Sequence, residues 1–465
     1  MRSITWTVAT LCWLWAGRAL GDEASSATRG EPASQPGLVW VDASDPQYLV
    51  YEVRQVELAL PENEHPLKRA NAERHLKEKE RLLQRLDRKH GTWNEHHAQH
   101  RLLEALRGFS AYAETQQAEL NRLKGLYSHV PKKQKTLLER EVKYSQKFTD
   151  IAQLIEKNQQ LCNGIVQNAM EFYGIGQHEL DQHIRSMKSA GRGAERVSVS
   201  QALKHFVRDW AASGVNERDA AFPCILKVLK DLFPNPGQEG VKVLLPGAGL
   251  GRLGHEVAEL PGFQVTNNEW STYQNIAYRF LTSRSPNPNT STIHPFIDSW
   301  SHHRSTADML RAITFPDIPL DPSSVLLVEG DFTTVFRDEA AASYDVIVTH
   351  FFIDTARNLM SYFDTIARLL KPGGYWVNFG PLLYGTAPFV QLTLEEIVTV
   401  VEGMGFEFLE VAAPGSEGGS HSQGCGGKEA IPGKRVYGVE AEYGFDERAL
   451  TRNAYEAVFW VARRK

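Results

Sequence analysis

Three places in this chain combine residue types and spacing that could do chemistry. The first is a glycine turn, Gly247-Ala248-Gly249-Leu250-Gly251, which follows an apolar run from Val241 to Leu245. Glycine adopts positive φ at little cost and puts no side chain between backbone and ligand, so such a turn can receive a nucleotide-like group. The second is Glu269, about twenty positions further on, near the end of the short run Phe263 to Thr266, where a carboxylate can hold ribose hydroxyls. The third is His350-Phe351-Phe352-Ile353-Asp354-Thr355, which leaves the strand-like DVIVT at the end where ligands bind in open α/β sheets. Asp354 is the best-placed carboxylate for acid–base or orienting work, although it could equally cap the helix that follows.

The turn by itself admits two chemistries. Gly249-Leu250-Gly251-Arg252-Leu253-Gly254 satisfies the G-x-G-x-x-G of nicotinamide and flavin enzymes. S-adenosylmethionine has no phosphate and needs mainly close backbone approach and an acid for its ribose, a use that Gly247 fits. Gly330-Asp331-Phe332 follows the run VLLV and supplies a carboxylate for the adenine amino group and an aromatic ring able to stack on the base. Downstream, Leu369-Leu370-Lys371-Pro372-Gly373-Gly374 precedes YWVNF. A helix closed in that way before a strand resembles the class I methyltransferases, and it tips the balance toward S-adenosylmethionine. For Arg208 the simpler expectation is a surface salt bridge, and a carboxylate of the ligand is the alternative partner. His294, His302 and His303 lack complementary Cys or acid spacing, so no metal is expected.

Positioning these residues requires strands alternating with helices. Strand candidates are 241–245, 263–266, 325–328, 345–349, 375–379, 406–411 and 457–461, with helical patterns at 199–210, 220–233, 355–370 and 394–404. The fold class expected is α/β, a Rossmann-like, mostly parallel sheet covered on both faces. Before it, residues 45–195 form a helical N-terminal region almost free of glycine and proline up to about Tyr173, and residues 196–465 form the domain that carries the glycine turn. Two insertions interrupt that domain, about 282–324 and a Gly/Ser-rich flexible loop at 414–434.

The 465 residues, 42% hydrophobic with a formal charge of -5, can bury a large core and show no basic block for nucleic acid. Four scattered cysteines argue for free thiols rather than a disulfide framework. Residues 1–21 read as a signal peptide or equally as a misassigned start, and 22–44 as a disordered leader. No other long apolar run exists, so no membrane partner is expected.

Taken together, FVRDW (206–210), LLPGAGLGRL (244–253), NEWS (268–271), GDF (330–332), FFIDTA (351–356), DTI-x-x-LLKPGG (364–374) and GPLLY (380–384) resemble the carnosine N-methyltransferase family. The resemblance implies a Rossmann-like class I methyltransferase that uses S-adenosylmethionine to methylate the imidazole of carnosine, forming anserine. It implies cofactor contacts at Arg208, Gly247, Gly249, Glu269, Asp331 and Phe332, and also at His205 and His350, where other members often carry Gln and Cys. On the acceptor side it implies Phe351, Asp354, Tyr443 and Tyr455, with Asp354 catalytic. Gly385 replaces the histidine expected after GPLLY, and Asn453 replaces a tyrosine, so another small molecule or a protein histidine is an alternative acceptor. A non-catalytic interaction protein built on the long helices is the alternative of another class. The resemblance implies cytosol and nucleus, against the secretory reading of the N-terminus, and a homodimer is one candidate assembly.

Overall fold

The computed structural model describes residues 66–237, 239–336, 340–385, 387–410 and 427–465. The signal-peptide and leader segments lie outside these, as does most of the Gly/Ser-rich loop. The chain divides into two compact units, Met1–Arg69 and Ala70–Lys465, and everything below concerns the second.

The helices that lead in are α1 (Pro66–Leu86), α2 (Ala98–Ser110), α3 (Tyr112–Ser128), α4 (Lys132–Val142), α5 (Tyr144–Tyr173), α6 (Gln177–Ser189) and α7 (Val197–Trp210). Then come α8 (Val215–Asp219) and α9 (Phe222–Leu232). The strands are β1 (Val241–Pro246), β2 (Phe263–Glu269), β3 (Ser291–Ile293), β4 (Ile313–Phe315), β5 (Val325–Glu329) and β6 (Tyr344–His350), followed by β7 (Leu370–Gly380), β8 (Phe406–Phe408), β9 (Lys428–Glu429), β10 (Tyr437–Glu442) and β11 (Ala454–Arg464). Between them run α10 (Arg252–Ala258), α11 (Thr272–Arg284), α12 (Thr306–Leu310), α13 (Phe332–Val335), α14 (Leu359–Leu369) and α15 (Leu394–Gly403).

The main sheet runs β5-β2-β1-β6-β7-β11-β10-β9, with β8 also paired to β11. Strands β5, β2, β1, β6 and β7 are parallel, and β11 returns antiparallel beside β7. The order reverses at β1, whose neighbours β2 and β6 lead away in opposite directions. A crevice therefore opens beyond the carboxyl ends of β1 and β6, where a ligand can enter between the loops. Both sheet faces are covered, so the central strands read as apolar runs: Val243, Leu244, Val346, Ile347 and Val348 are all fully buried.

The helical layer shares a core with the sheet domain. Leu102, Leu103 and Phe109 of α2, Ile155 and Ile165 of α5, and Phe206 of α7 pack in one cluster with Ile276 and Leu281 of α11. Helix α11 buries nine of its residues, because α2, α5 and α7 cover the side that the sheet leaves open. The insertion at 282–324 is ordered around the β3–β4 pair. Among the described cysteines, Cys162 is buried and free. Cys224 is disulfide-bonded, which corrects the expectation of a free thiol there.

Candidate functional site

The glycine turn joins β1 to α10 and is clamped from two sides. Gly247, Gly249 and Gly251 have φ of 66°, 58° and 79°. A Cβ on Gly247 would sit 2.3 Å from the Phe352 ring, and one on Gly249 would sit 3.2 Å from Nδ1 of His205. Glu269, at the end of β2, returns its carboxylate to the turn, accepting from the Gly249 N–H at 2.9 Å and the Ser271 N–H at 2.7 Å. Burial raises the pKa of Glu269, and these N–H groups together with the Arg101 charge oppose the rise. From the other side, α7 holds Leu250: the Trp210 indole donates to its carbonyl at 2.8 Å, and Asp209 accepts from its N–H at 3.2 Å.

Arg208, in the last turn of α7, has a side chain only 14% exposed beside this turn, so the expectation of a surface salt bridge gives way to a largely internal one. Its guanidinium pairs with Asp209 at 2.7 Å, and donates to the Tyr443 hydroxyl and to His205 Nδ1 at 3.0 Å each. Burial works against the charge, but Asp209 and Tyr443 outweigh it and hold the Arg208 pKa above its ordinary value. Asp209 is likewise held well below the usual carboxylate range, against its burial, by Arg208 and His205. Burial and the nearby cation keep His205 neutral, with Nδ1 as acceptor. His350 is held neutral in the same way, its pKa lowered to about 3 by burial and Arg208.

Beyond β6 the chain turns sharply. Phe351 has φ of 51°, a costly conformation for a bulky residue. Gly380 makes room for it, since a Cβ there would lie 2.9 Å from the Phe351 backbone. The Phe351 ring stacks on Tyr443 at 5.2 Å between centroids and meets Tyr455 edge-on at 6.1 Å. The structure thus brings together an aromatic wall from two distant segments, the β6 exit and the β10–β11 hairpin, with Arg208 behind Tyr443 at 5.2 Å.

Asp354 lies in a single 3₁₀ turn, Ile353–Thr355, and is 6% exposed. It does not cap α14, which begins at Leu359 with Asn358 before it. Its Oδ2 accepts from the Leu383 N–H at 3.0 Å, in the loop after β7. Burial pushes its carboxyl up to about 7, and that N–H only partly offsets the effect.

After β5, Asp331 caps α13 by accepting from the Thr333 N–H at 2.8 Å. The Phe332 ring is buried among Phe336, Phe352 and Tyr362, so its side chain packs the floor of the site. Tyr362 went unnoticed in the sequence, where it reads as one more apolar-face residue of LMSYFDTI. Its ring lies flat on Phe352 at 4.5 Å, and its hydroxyl feels the charges of Asp331, Glu269 and Asp354. Burial is the larger cause of its raised pKa, and these three charges add to it. The sequence carried one signal for Tyr362, an aromatic at the start of a helix that follows a ligand loop.

Among the described residues, no group of three His, Cys, Asp or Glu could hold a metal ion. His294 and His303 bind backbone carbonyls instead, those of Leu310 and Ser299.

A family profile described as carnosine N-methyltransferase matches residues 188–414. Carnosine N-methyltransferase of Mus musculus is 34% identical over 319 residues, covering 66% of this chain and 77% of the mouse protein. That of Schizosaccharomyces pombe is 32% identical over 339 residues, covering 67% and 81% respectively. Among solved structures, a putative S-adenosyl-L-methionine-dependent methyltransferase from Methanococcus maripaludis matches at 13% identity and a TM-score of 0.31, over 57% of this chain and 91% of that one.

Proposed function

Because the chain belongs to the carnosine N-methyltransferase family, we propose that it methylates the imidazole of carnosine to form anserine, with Asp354 holding the acceptor ring. The chain is an S-adenosylmethionine-dependent methyltransferase, and the residues present fit that donor. The glycine turn leaves backbone open at positive φ, and Glu269 is already fixed beside it. When bound, the donor supplies a sulfonium-activated methyl group.

In this reading Glu269 binds the ribose hydroxyls and Asp331 the adenine amino group. The Phe332 N–H, at the first position of α13, is a donor without an intrahelical acceptor and faces the base. Arg208 binds the donor's carboxylate, with His205 and His350 as neutral neighbours that add no competing charge. Tyr362 spans the adenosine and acceptor sides.

The acceptor is a neutral imidazole, already a competent nucleophile near neutral pH given an ordinary pKa of about 6.5, so no strong base is needed. Leu383 occupies one oxygen of Asp354 and leaves Oδ1 for the N–H of the ring nitrogen that is not attacked. That hydrogen bond fixes tautomer and orientation, and it strengthens as positive charge develops on the ring. Phe351, Tyr443 and Tyr455 offer aromatic faces to the same cation.

The observation that carries this reading is a carboxylate, Asp354, buried in the turn that leaves β6, in the same short segment as Phe352, whose ring would meet a Cβ on Gly247, and Phe351, whose ring stacks on Tyr443. Replacing Asp354 by Ala should lower turnover of carnosine by about a hundredfold to a thousandfold and leave S-adenosylhomocysteine affinity within about threefold of wild type. Product analysis by mass spectrometry and calorimetry reads both quantities, and undiminished turnover in the variant would refute the role.

A further inference from the structure

We infer that Arg101, on helix α2 of the helical layer, is a binding residue for the adenosine end of the methyl donor, carried into place on the ring of Trp270. The inference rests on the donor reading above and extends it to a residue far from the sheet in sequence.

Trp270 directly follows Glu269, the ribose carboxylate. The backbone there is tied to the neighbouring loop, since the Gly330 N–H donates to the Glu269 carbonyl at 2.9 Å and Gly330 precedes Asp331. Trp270 and Asp331 therefore flank one crevice mouth. The Trp270 side chain is 42% exposed, a large apolar surface left open where the rest of the turn is closed. Over it lies the Arg101 guanidinium, 4.3 Å from the ring centroid, with Nη2 donating to the Trp270 carbonyl.

That carbonyl is the acceptor Arg101 has among the described residues, and none of their carboxylates lies within ion-pair distance of it. A guanidinium presents five N–H donors in a fixed fork, so most of this one remains unused. The charge is nonetheless aimed at acids: Asp331 and Glu269 both favour it, while burial lowers its pKa to about 10. The guanidinium thus stands over the residue that follows Glu269, held by stacking and one carbonyl, with N–H donors to spare. The group that the donor reading puts there is adenosine, whose ring nitrogens and ribose oxygens are acceptors. Stacking on Trp270 holds the fork in plane and reduces the rotamer entropy lost on binding. Arg279, a half-buried cation near the sheet, differs in having a paired carboxylate in Glu329.

The test is calorimetry with two ligands, S-adenosylhomocysteine and 5′-methylthioadenosine, which lacks the amino-acid end. In the full-length protein, Arg101→Ala should weaken both by about the same factor, roughly tenfold to a hundredfold, the cost of a charged hydrogen-bond donor. Arg101→Lys keeps the charge but not the fork, and should recover only part of the loss. Trp270→Phe should keep affinity within about threefold, yet remove most of the ligand-induced change in tryptophan fluorescence. Thermal melting of each variant without ligand separates a folding defect, and Arg101→Lys is the variant that decides if Arg101→Ala does not fold. Two results overturn the inference: unchanged affinity in both Arg101 variants, or a loss confined to S-adenosylhomocysteine, which would put Arg101 at the amino-acid end. Wild-type protein that binds neither ligand would instead refute the donor reading itself, and this inference with it.

Discussion

At the scale of single residues, Asp354 is where stability and function oppose each other. Its carboxyl has an ordinary pKa near 3.8 when exposed and about 7 in the folded protein, because burial disfavours the charge. Between those values the native state keeps a proton that the unfolded chain has released, so stability falls as pH rises through that window and the full cost is present above pH 7. Asp354→Asn keeps an oxygen for the Leu383 N–H and removes the charge. It should raise unfolding free energy by about 1–3 kcal/mol at pH 8 and by almost nothing at pH 4, as measured by urea denaturation. A second consequence concerns ligand charge. S-adenosylmethionine carries a sulfonium that S-adenosylhomocysteine lacks, and an ionised Asp354 favours the cation. The affinity ratio of the two should therefore climb as pH rises through about 7, and the climb should vanish in Asp354→Asn. Tyr362 and Tyr384, which feel the same charge, have pKa values raised by burial and do not titrate in this range.

At the scale of elements, the glycine turn, the β6 exit and α14 form one packed unit. Phe352 fills the space below Gly247 and lies flat on Tyr362 of α14. Gly247→Ala would force Phe352 aside and adopt a costly φ. It should cost about 1–3 kcal/mol of stability and more than tenfold in S-adenosylhomocysteine affinity, read by denaturation and calorimetry. The central strands were legible in the sequence because a strand buried on both faces must be a continuous apolar run: those expected at 241–245, 263–266, 325–328 and 345–349 are β1, β2, β5 and β6, each within three residues of the expected ends. Strand β10 was not legible, since Tyr437–Glu442 carries Gly438, Glu440 and Glu442 near the sheet edge and lacks such a run. The strand after Leu369 begins earlier than expected, because Leu370 pairs with Tyr344 across an irregular register before the pairing becomes regular at Val346. Motif spacing named Gly247, Glu269 and Asp331. It included Trp270 only as part of NEWS and could not name Tyr362 or Arg101, whose placement follows from packing between segments far apart in sequence.

At the scale of the whole molecule, the boundary drawn from composition near residue 195 and the boundary of cooperative folding are different quantities. Helix α11 follows β2 within the sheet domain, but Tyr273, Ile276, Tyr278, Phe280 and Leu281 are buried in a cluster to which α2, α5 and α7 contribute. Removing the helices before α7 would return part of that surface to water. At roughly 1.5–3 kcal/mol for each large apolar side chain, four or five of them cost about 6–15 kcal/mol. That equals the whole stability of a typical domain, about 5–15 kcal/mol. The buried Glu329 would also lose the Tyr173 hydroxyl, which donates to both of its oxygens, and keep only Arg279. A fragment of residues 196–465 should therefore be unfolded or aggregated when expressed alone, whereas residues 70–465 should give a single cooperative melt followed by circular dichroism. S-adenosylhomocysteine should shift that melt upward as one transition. Two transitions, with only the later one responding to ligand, would show that the helical layer folds independently of the sheet it covers.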